Sequence, residues 1–135
     1  GYPVIRYRSG DLVVLNQQKC ACGRSFARFE GGVLGRADDM VVVRGINVFP
    51  SAVENLVRQC ETVEEFRITV STNREMANLA IELELSKTAN PESARKTVDQ
   101  AIQNELSLRP EITFVPSGSL PRFEMKAKRF HLKNN

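Results

Sequence analysis

Lys126 stands in the run Leu120-Pro121-Arg122-Phe123-Glu124-Met125-Lys126-Ala127-Lys128-Arg129, near the end of a 135-residue chain. A lysine carried on a turn after a proline is a long, flexible point charge with three donors. Such a group suits a phosphate or carboxylate whose charge shifts during a reaction. The plainer fate of Lys126, Lys128, Arg129 and Lys133 is a solvated basic end. Far upstream, Gly35-Arg36-Ala37-Asp38-Asp39 offers a guanidinium that could meet phosphate as a planar fork. Asp38 falls where the pattern of the chain changes, the place a hinge would occupy. From the residues alone, a turn with a local Arg36–Asp38 ion pair fits as well. The Arg44-Gly45 turn is a further candidate, because glycine permits close backbone approach to a ligand, although a plain tight turn explains it equally. Cys20-Ala21-Cys22 could give two soft ligands to a metal. A zinc site takes four, with Cys60 and His131 as distant further candidates, and two free thiols are the alternative.

The elements that must position these residues follow from periodicity. Residues 11–15 read as a strand, followed by the polar turn Asn16-Gln17-Gln18-Lys19 and the glycine-rich Gly31-Gly32-Val33-Leu34-Gly35. Residues 1–37 hold too few apolar side chains to fold alone, so they are expected to be the tail end of a larger preceding domain. From residue 40 the pattern becomes regular. Residues 40–44 form a short strand, Gly45-Ile46-Asn47 a turn, and Val48-Phe49 lead into Pro50, which suits the start of a helix. Ser51 and Glu54 have capping-box spacing, and Val53, Leu56, Val57 and Cys60 make one apolar helix face. Phe66, Ile68 and Val70 alternate with polar residues, as do Leu79, Ile81, Leu83 and Leu85, giving two strands of a hairpin, each with one buried face. Asn90-Pro91-Glu92 supplies a cap, a first-turn proline and a first-turn acid for a second helix ending near Leu108, with Ala94, Val98, Ala101 and Ile102 on its apolar line. Residues 112–115 make a third strand, ended by Pro116-Ser117-Gly118-Ser119, and a loose basic tail follows. The expected fold class is α+β: a small three-stranded sheet with two helices on one face and an N-terminal β-hairpin, preceded by a short β segment from a larger domain. The expected division is 1–37 for that segment and 38–135 for a self-consistent C-terminal domain.

Composition narrows the classes. A chain with 41% hydrophobic and 26% charged residues is ordinary for a soluble globular domain. Its 19 basic against 16 acidic residues leave +3, too weak to argue for nucleic acid, and aromatics do not interleave with the basic residues. The longest apolar runs, 12–15 and 40–43, fall far short of a bilayer span, so no membrane partner is expected. Three cysteines make an odd number without a disulfide framework, which fits a reducing compartment and places the protein in the cytoplasm. A start at Gly1-Tyr2-Pro3, without an initiator Met or a signal pattern, is expected of a piece of a longer polypeptide.

The stretch from Gly35-Arg36-Ala37-Asp38-Asp39 through Arg44-Gly45-Ile46-Asn47-Val48-Phe49-Pro50 resembles the hinge motif of the ANL adenylate-forming superfamily, in the form found in phenylacetate-coenzyme A ligases. Tyr7-Arg8-Ser9-Gly10-Asp11 resembles the Tyr-Arg-Thr-Gly-Asp motif near the end of that family's large domain. Cys20-Ala21-Cys22-Gly23-Arg24 resembles its Cys-x-Cys-Gly-Arg segment. The resemblance implies that Asp11 holds the ribose hydroxyls of ATP, that Arg36 contacts phosphate, and that Asp38 is the hinge about which the C-terminal domain, a mobile lid over 38–135, turns between two half-reactions. It implies that Lys126, after Met125 where the family has glycine, is the adenylation lysine bridging the substrate carboxylate and the α-phosphate. Arg44, Gly45 and Ile46 would line the coenzyme A tunnel during thioester formation. ATP, Mg2+, coenzyme A and an aryl acid are the implied small molecules, acting with the missing N-terminal domain; a structural Zn2+ at Cys20 and Cys22 is a further possibility, and the fragment alone is expected to be inactive. A reading from another class is a stand-alone α+β regulatory or ligand-binding module that forms a homodimer through exposed sheet edges.

Overall fold

The computed structural model describes residues 7–73, 76–122 and 129–134. The chain opens with an antiparallel pair, β1 (Asp11–Asn16) and β2 (Arg28–Arg36). The glycine-rich stretch Gly31-Gly32-Val33-Leu34-Gly35 is therefore part of a strand. Gly31 and Gly32 take positive φ within it, and the register slips between Leu12 and Val14. That irregular backbone hides the strand from any period-2 reading of the side chains. Val14, Leu15, Phe29 and Val33 on this pair stay exposed, in keeping with a segment that cannot bury its own apolar side chains.

A 3-10 turn (Ala37–Asp39) leads into the hairpin β3 (Val41–Val43) and β4 (Ile46–Val48). Its two-residue loop is Arg44-Gly45, with φ of 50° and 80°. Positive φ at both centres is the geometry that lets a two-residue turn match the twist of its strands. Ile46, expected in the turn, instead pairs with Val43 as the first residue of β4.

Helix α1 (Pro50–Arg58) begins with Phe49 as N-cap and Pro50 in the first turn. The capping box expected at Ser51 and Glu54 does not form. The Ser51 hydroxyl donates instead to the carbonyl of Leu34, 2.8 Å away on β2. Strands β5 (Val63–Asn73) and β6 (Met76–Leu85) form the long hairpin, pairing Phe66 with Leu83, Ile68 with Ile81 and Val70 with Leu79. Helix α2 (Pro91–Leu106) is capped by Asn90, whose side chain accepts from the Glu92 and Ser93 amides at 2.9 and 3.2 Å. It ends at Ser107 in the left-handed region, φ 54°. Strand β7 (Glu111–Phe114) runs parallel to β6.

The basic tail is not loose throughout: β8 (Phe130–Asn134) adds a parallel strand to β5, so the sheet has four strands in the order β7-β6-β5-β8. The α+β class holds, with one strand more than expected. A single core takes Val53, Leu56 and Val57 from α1, Ala94, Val98 and Ile102 from α2, and Phe66, Ile68, Val70, Leu79, Ile81 and Leu83 from the sheet face that they share. Val43 and Val48 of the small hairpin join it. None of the described helices is long and apolar enough to cross a membrane.

Candidate functional site

Three residues singled out separately in the sequence meet in one cluster. Asp11 opens β1 and Arg36 ends β2, and the two are register partners across that pair. Asp38 follows in the 3-10 turn, which is tied back by the Ala37 amide donating to the Gly10 carbonyl at 2.8 Å. Arg36 grips Asp38 with both arms of its fork, Nε to Oδ1 at 3.0 Å and Nη2 to Oδ2 at 2.9 Å. Its remaining nitrogen is 4.0 Å from Asp11. Gly10, at φ 76°, sits against the pair: a Cβ there would be 3.6 Å from Asp38 Oδ1.

The hydrogen bonds from Arg36 lower the Asp38 pKa, and those to Asp38 raise that of Arg36. A depressed carboxyl pKa contributes stability that is present above its unfolded value and lost as pH falls through the folded one. Carboxyl NMR titration should therefore place the Asp38 midpoint below the ordinary value of about 3.9, and Arg36→Ala should return it upward. A wild-type midpoint at the ordinary value would mean the fork is not closed in solution.

Asp38 and Asp39 also line a cleft of about 460 Å³ together with Met40, Pro50, Glu54 and Arg129. Burial raises the Glu54 pKa within it. The candidate hinge thus shares a cavity wall with the end of the segment that carries Lys126. Lys126 itself, with Met125 and Lys128, lies outside the described residues.

The Arg44-Gly45 turn projects at another place. Arg44 Nη2 donates to Asn78 Oδ1 at 2.7 Å, near the start of β6. A shallow cleft of about 570 Å³ beside it is lined by Val42, Arg44, Gly45, Thr72, Met76 and Ala77. A left-handed arginine costs on the order of 1 kcal/mol, and such strain is held where the position serves something else. Arg122, which leads into the Lys126 segment, is anchored to Glu84 near the end of β6. From Asn78 to Glu84 is six residues of strand, or roughly 20 Å. The Arg44–Asn78 contact and the Arg122 anchor therefore lie toward opposite ends of β6.

Cys20 and Cys22 bring their sulfurs to 3.0 Å, in a turn closed by the Gly23 amide donating to the Cys20 carbonyl at 2.9 Å. The hydrogen bond with Cys22 lowers the Cys20 thiol pKa. Among the described residues no group of three or more Cys, His, Asp or Glu is placed to hold a metal. Cys60 is buried in the core, so the pair offers two of the four ligands a structural zinc takes. The described residues do not complete that site.

Sequence reasoning missed Glu65, Glu84, Arg122 and Arg129. Glu84 is one of the polar residues that alternate with Leu79, Ile81, Leu83 and Leu85, and it is fully buried. Its face of the sheet is covered by residues 116–122 rather than by a helix, so alternation alone gives no sign of its burial.

Set beside known proteins, residues 45–133 match the model of the AMP-binding enzyme C-terminal domain. The phenylacetate-coenzyme A ligase of Escherichia coli K12 is 33% identical, over 98% of this chain and 31% of the relative. That of Thermus thermophilus is 29% identical, over 90% of the chain and 32% of the relative. The chain thus spans about a third of the length of these curated relatives. Among solved structures, 2-hydroxyisobutyryl-CoA ligase in the postadenylation state, in complex with an adenylate, overlays with a TM-score of 0.83 at 30% identity, over 95% of this chain and 28% of that one. The same enzyme in the thioesterification state with CoA overlays at 0.64, over 98% of this chain and 29% of that one.

Proposed function

Because this chain belongs to the AMP-binding enzyme C-terminal domain family, we propose that it is the closing portion of an acid–coenzyme A ligase. The full protein activates a carboxylic acid with ATP to an acyl-adenylate, releasing diphosphate, and then transfers the acyl group to the thiol of coenzyme A, releasing AMP. An aryl acid such as phenylacetate is the substrate class that the two phenylacetate-coenzyme A ligases support. Residues 1–37 are the tail end of the large domain, and residues 38–135 are a lid that turns about Asp38.

The observation that carries this reading is the roughly 20 Å along β6 between the Arg44-Gly45 turn and the anchor of the Lys126 segment. One catalytic centre cannot be served by both at once, so each end has its own step. In the first, Lys126 bridges the acid carboxylate and the α-phosphate, offsetting the repulsion of two anions held for in-line attack. Asp11 accepts hydrogen bonds from the ribose hydroxyls, as a carboxylate facing a diol can. In the second, the lid turns, Lys126 withdraws, and Arg44, Gly45 and Ile46 form part of the wall along which coenzyme A enters. The Arg36–Asp38 fork spans the boundary between the two portions, and so must change when the lid turns. Arg36 is free to meet phosphate only in an arrangement that opens this fork. The fall in TM-score from 0.83 to 0.64 between two states of one relative supports such a turn, the arrangement here being nearer the postadenylation state. Mg2+ would accompany the ATP phosphates and offset their charge. The exposed apolar side chains of β1 and β2 fit a segment covered by the large domain.

The test is turnover by the full-length polypeptide supplied with ATP, Mg2+, coenzyme A and a panel of aryl acids. Acid-dependent AMP and thioester in equal amounts are expected, and neither from this chain alone. Release of ADP instead, or no acid-dependent AMP or thioester with any acid of the panel, would contradict the reading, and the second outcome would favour the dimerising regulatory or ligand-binding module.

A further inference from the structure

Two buried carboxylates take no part in the cluster described above. Glu84 is fully buried and Glu65 is 6% exposed, and they are cross-strand partners on β6 and β5. A bulge between Val63 and Glu65 sets this register. Like charges directly opposite one another on a sheet repel, and burying them adds desolvation. Apolar side chains at both positions would cover this face of the sheet without either cost. The carboxylates are instead each matched by an arginine, and the two arginines come from one short stretch of chain.

Glu84 accepts from the backbone amides of Leu120 and, at 3.0 Å, Gly118, and from Arg122 Nη2 at 2.9 Å. Arg122 also reaches Glu64, 3.5 Å away. Glu65 takes both arms of Arg129, Nε to Oε1 at 2.5 Å and Nη2 to Oε2 at 2.9 Å, while the Phe66 amide donates to Oε1 at 3.0 Å. The Arg129 guanidinium lies 5.4 Å over the Phe66 ring, and its backbone carbonyl accepts from the Ile68 amide at 2.7 Å. The hydrogen bonds from Arg129 hold the Glu65 carboxyl below the usual carboxylate range. A two-armed fork fixes direction as well as distance. Both ends of the stretch between Arg122 and Arg129 are thus tied to neighbouring positions on adjacent strands, and Lys126 is in that stretch.

We propose that Glu65 and Glu84 are positioning residues for the first half-reaction, clamping Arg129 and Arg122 so that the intervening stretch presents Lys126 to the acid and the α-phosphate. The proposal rests on the role given to Lys126 above. A displacement of about 1 Å at a reacting group can cost on the order of 10²-fold in rate, which is what the buried charges on this sheet face would prevent. The second half-reaction uses the other end of β6 and does not need the clamp.

In the full-length protein, Glu65→Gln, Glu84→Gln and Arg122→Ala are compared with Lys126→Ala. The first step is read by acid-dependent ATP–diphosphate exchange, and the second by thioester formation from supplied acyl-adenylate. Each clamp substitution should lower kcat of exchange by roughly ten- to a hundredfold, leaving the KM for ATP and the second step within about twofold. In a Lys126→Ala background the same substitutions should lower exchange no further, because they act through that lysine. A further loss in that background, equal losses in both steps, or unchanged exchange overturns the clamp. If Lys126→Ala itself spares exchange, the role of Lys126 fails and takes the clamp with it. If Lys126→Ala abolishes exchange and the clamp variants do not lower it, only the clamp fails. Should Glu84→Gln not fold, Arg122→Ala, at a half-exposed side chain, is read in its place with the same outcomes.

Discussion

Replacing Lys126 by alanine in the full-length protein is expected to lower acyl-adenylate formation by about 10²- to 10³-fold, the usual loss when one donor aimed at developing charge is removed. Thioester formation from supplied acyl-adenylate should stay within about twofold, because that step is assigned to the Arg44-Gly45 end of the domain. The asymmetry matters more than the size of the loss. A lysine that merely held the lid together would slow both steps, and one in a solvated tail would slow neither. Lys128→Ala, two residues along the same stretch, is the control: it should leave both steps near wild type.

The second large effect is expected at the hinge. Proline at position 38 fixes φ near −65° and drives the preceding residue away from helical backbone. Ala37 is part of the 3-10 turn Ala37–Asp39, flanked by extended Arg36 and Met40, so Asp38→Pro acts on the turn itself and on its freedom to change. It also removes the carboxylate that Arg36 grips. One half-reaction should fall by about tenfold or more relative to the other, since a lid held a few ångströms from its place loses alignment steeply. Asp38→Ala removes the same ion pair without stiffening the backbone, and should separate the half-reactions far less. Equal kinetics in both steps for Asp38→Pro would remove Asp38 from the hinge role.

The parts of the fold built on local pattern were legible in the sequence. Phe66, Ile68 and Val70 against Leu79, Ile81 and Leu83 declare a half-buried hairpin by alternation alone. Asn90-Pro91-Glu92 states the start of α2 in three residues. Features that depend on distant partners were not legible. Ser51 has the spacing of a capping residue, but the carbonyl of Leu34 on β2 takes its hydroxyl. Phe130-His131-Leu132-Lys133 looks like a basic tail because its strand exists only by pairing with β5, more than fifty residues earlier. Glu84 follows the polar phase of its strand faithfully. It is buried because a loop, which carries no periodicity, crosses above it. Of the candidate site, the residue types were legible at Asp11, Arg36, Asp38 and Arg44-Gly45. The closing of the Arg36–Asp38 fork and the separation of the two ends of β6 required the structure.

One measurement bears most directly on a lid that serves two steps by turning about Asp38. Probes installed through unnatural amino acids at Gln17 and Asn104, both exposed, one ahead of the hinge and one on α2, report the distance between the two portions in the full-length protein. With a non-reactive acyl-adenylate analogue the distribution should centre on the distance in the present structure, and adding coenzyme A should move it to a second, separate distance. A single distribution, unchanged by the analogue and by coenzyme A, would contradict the account.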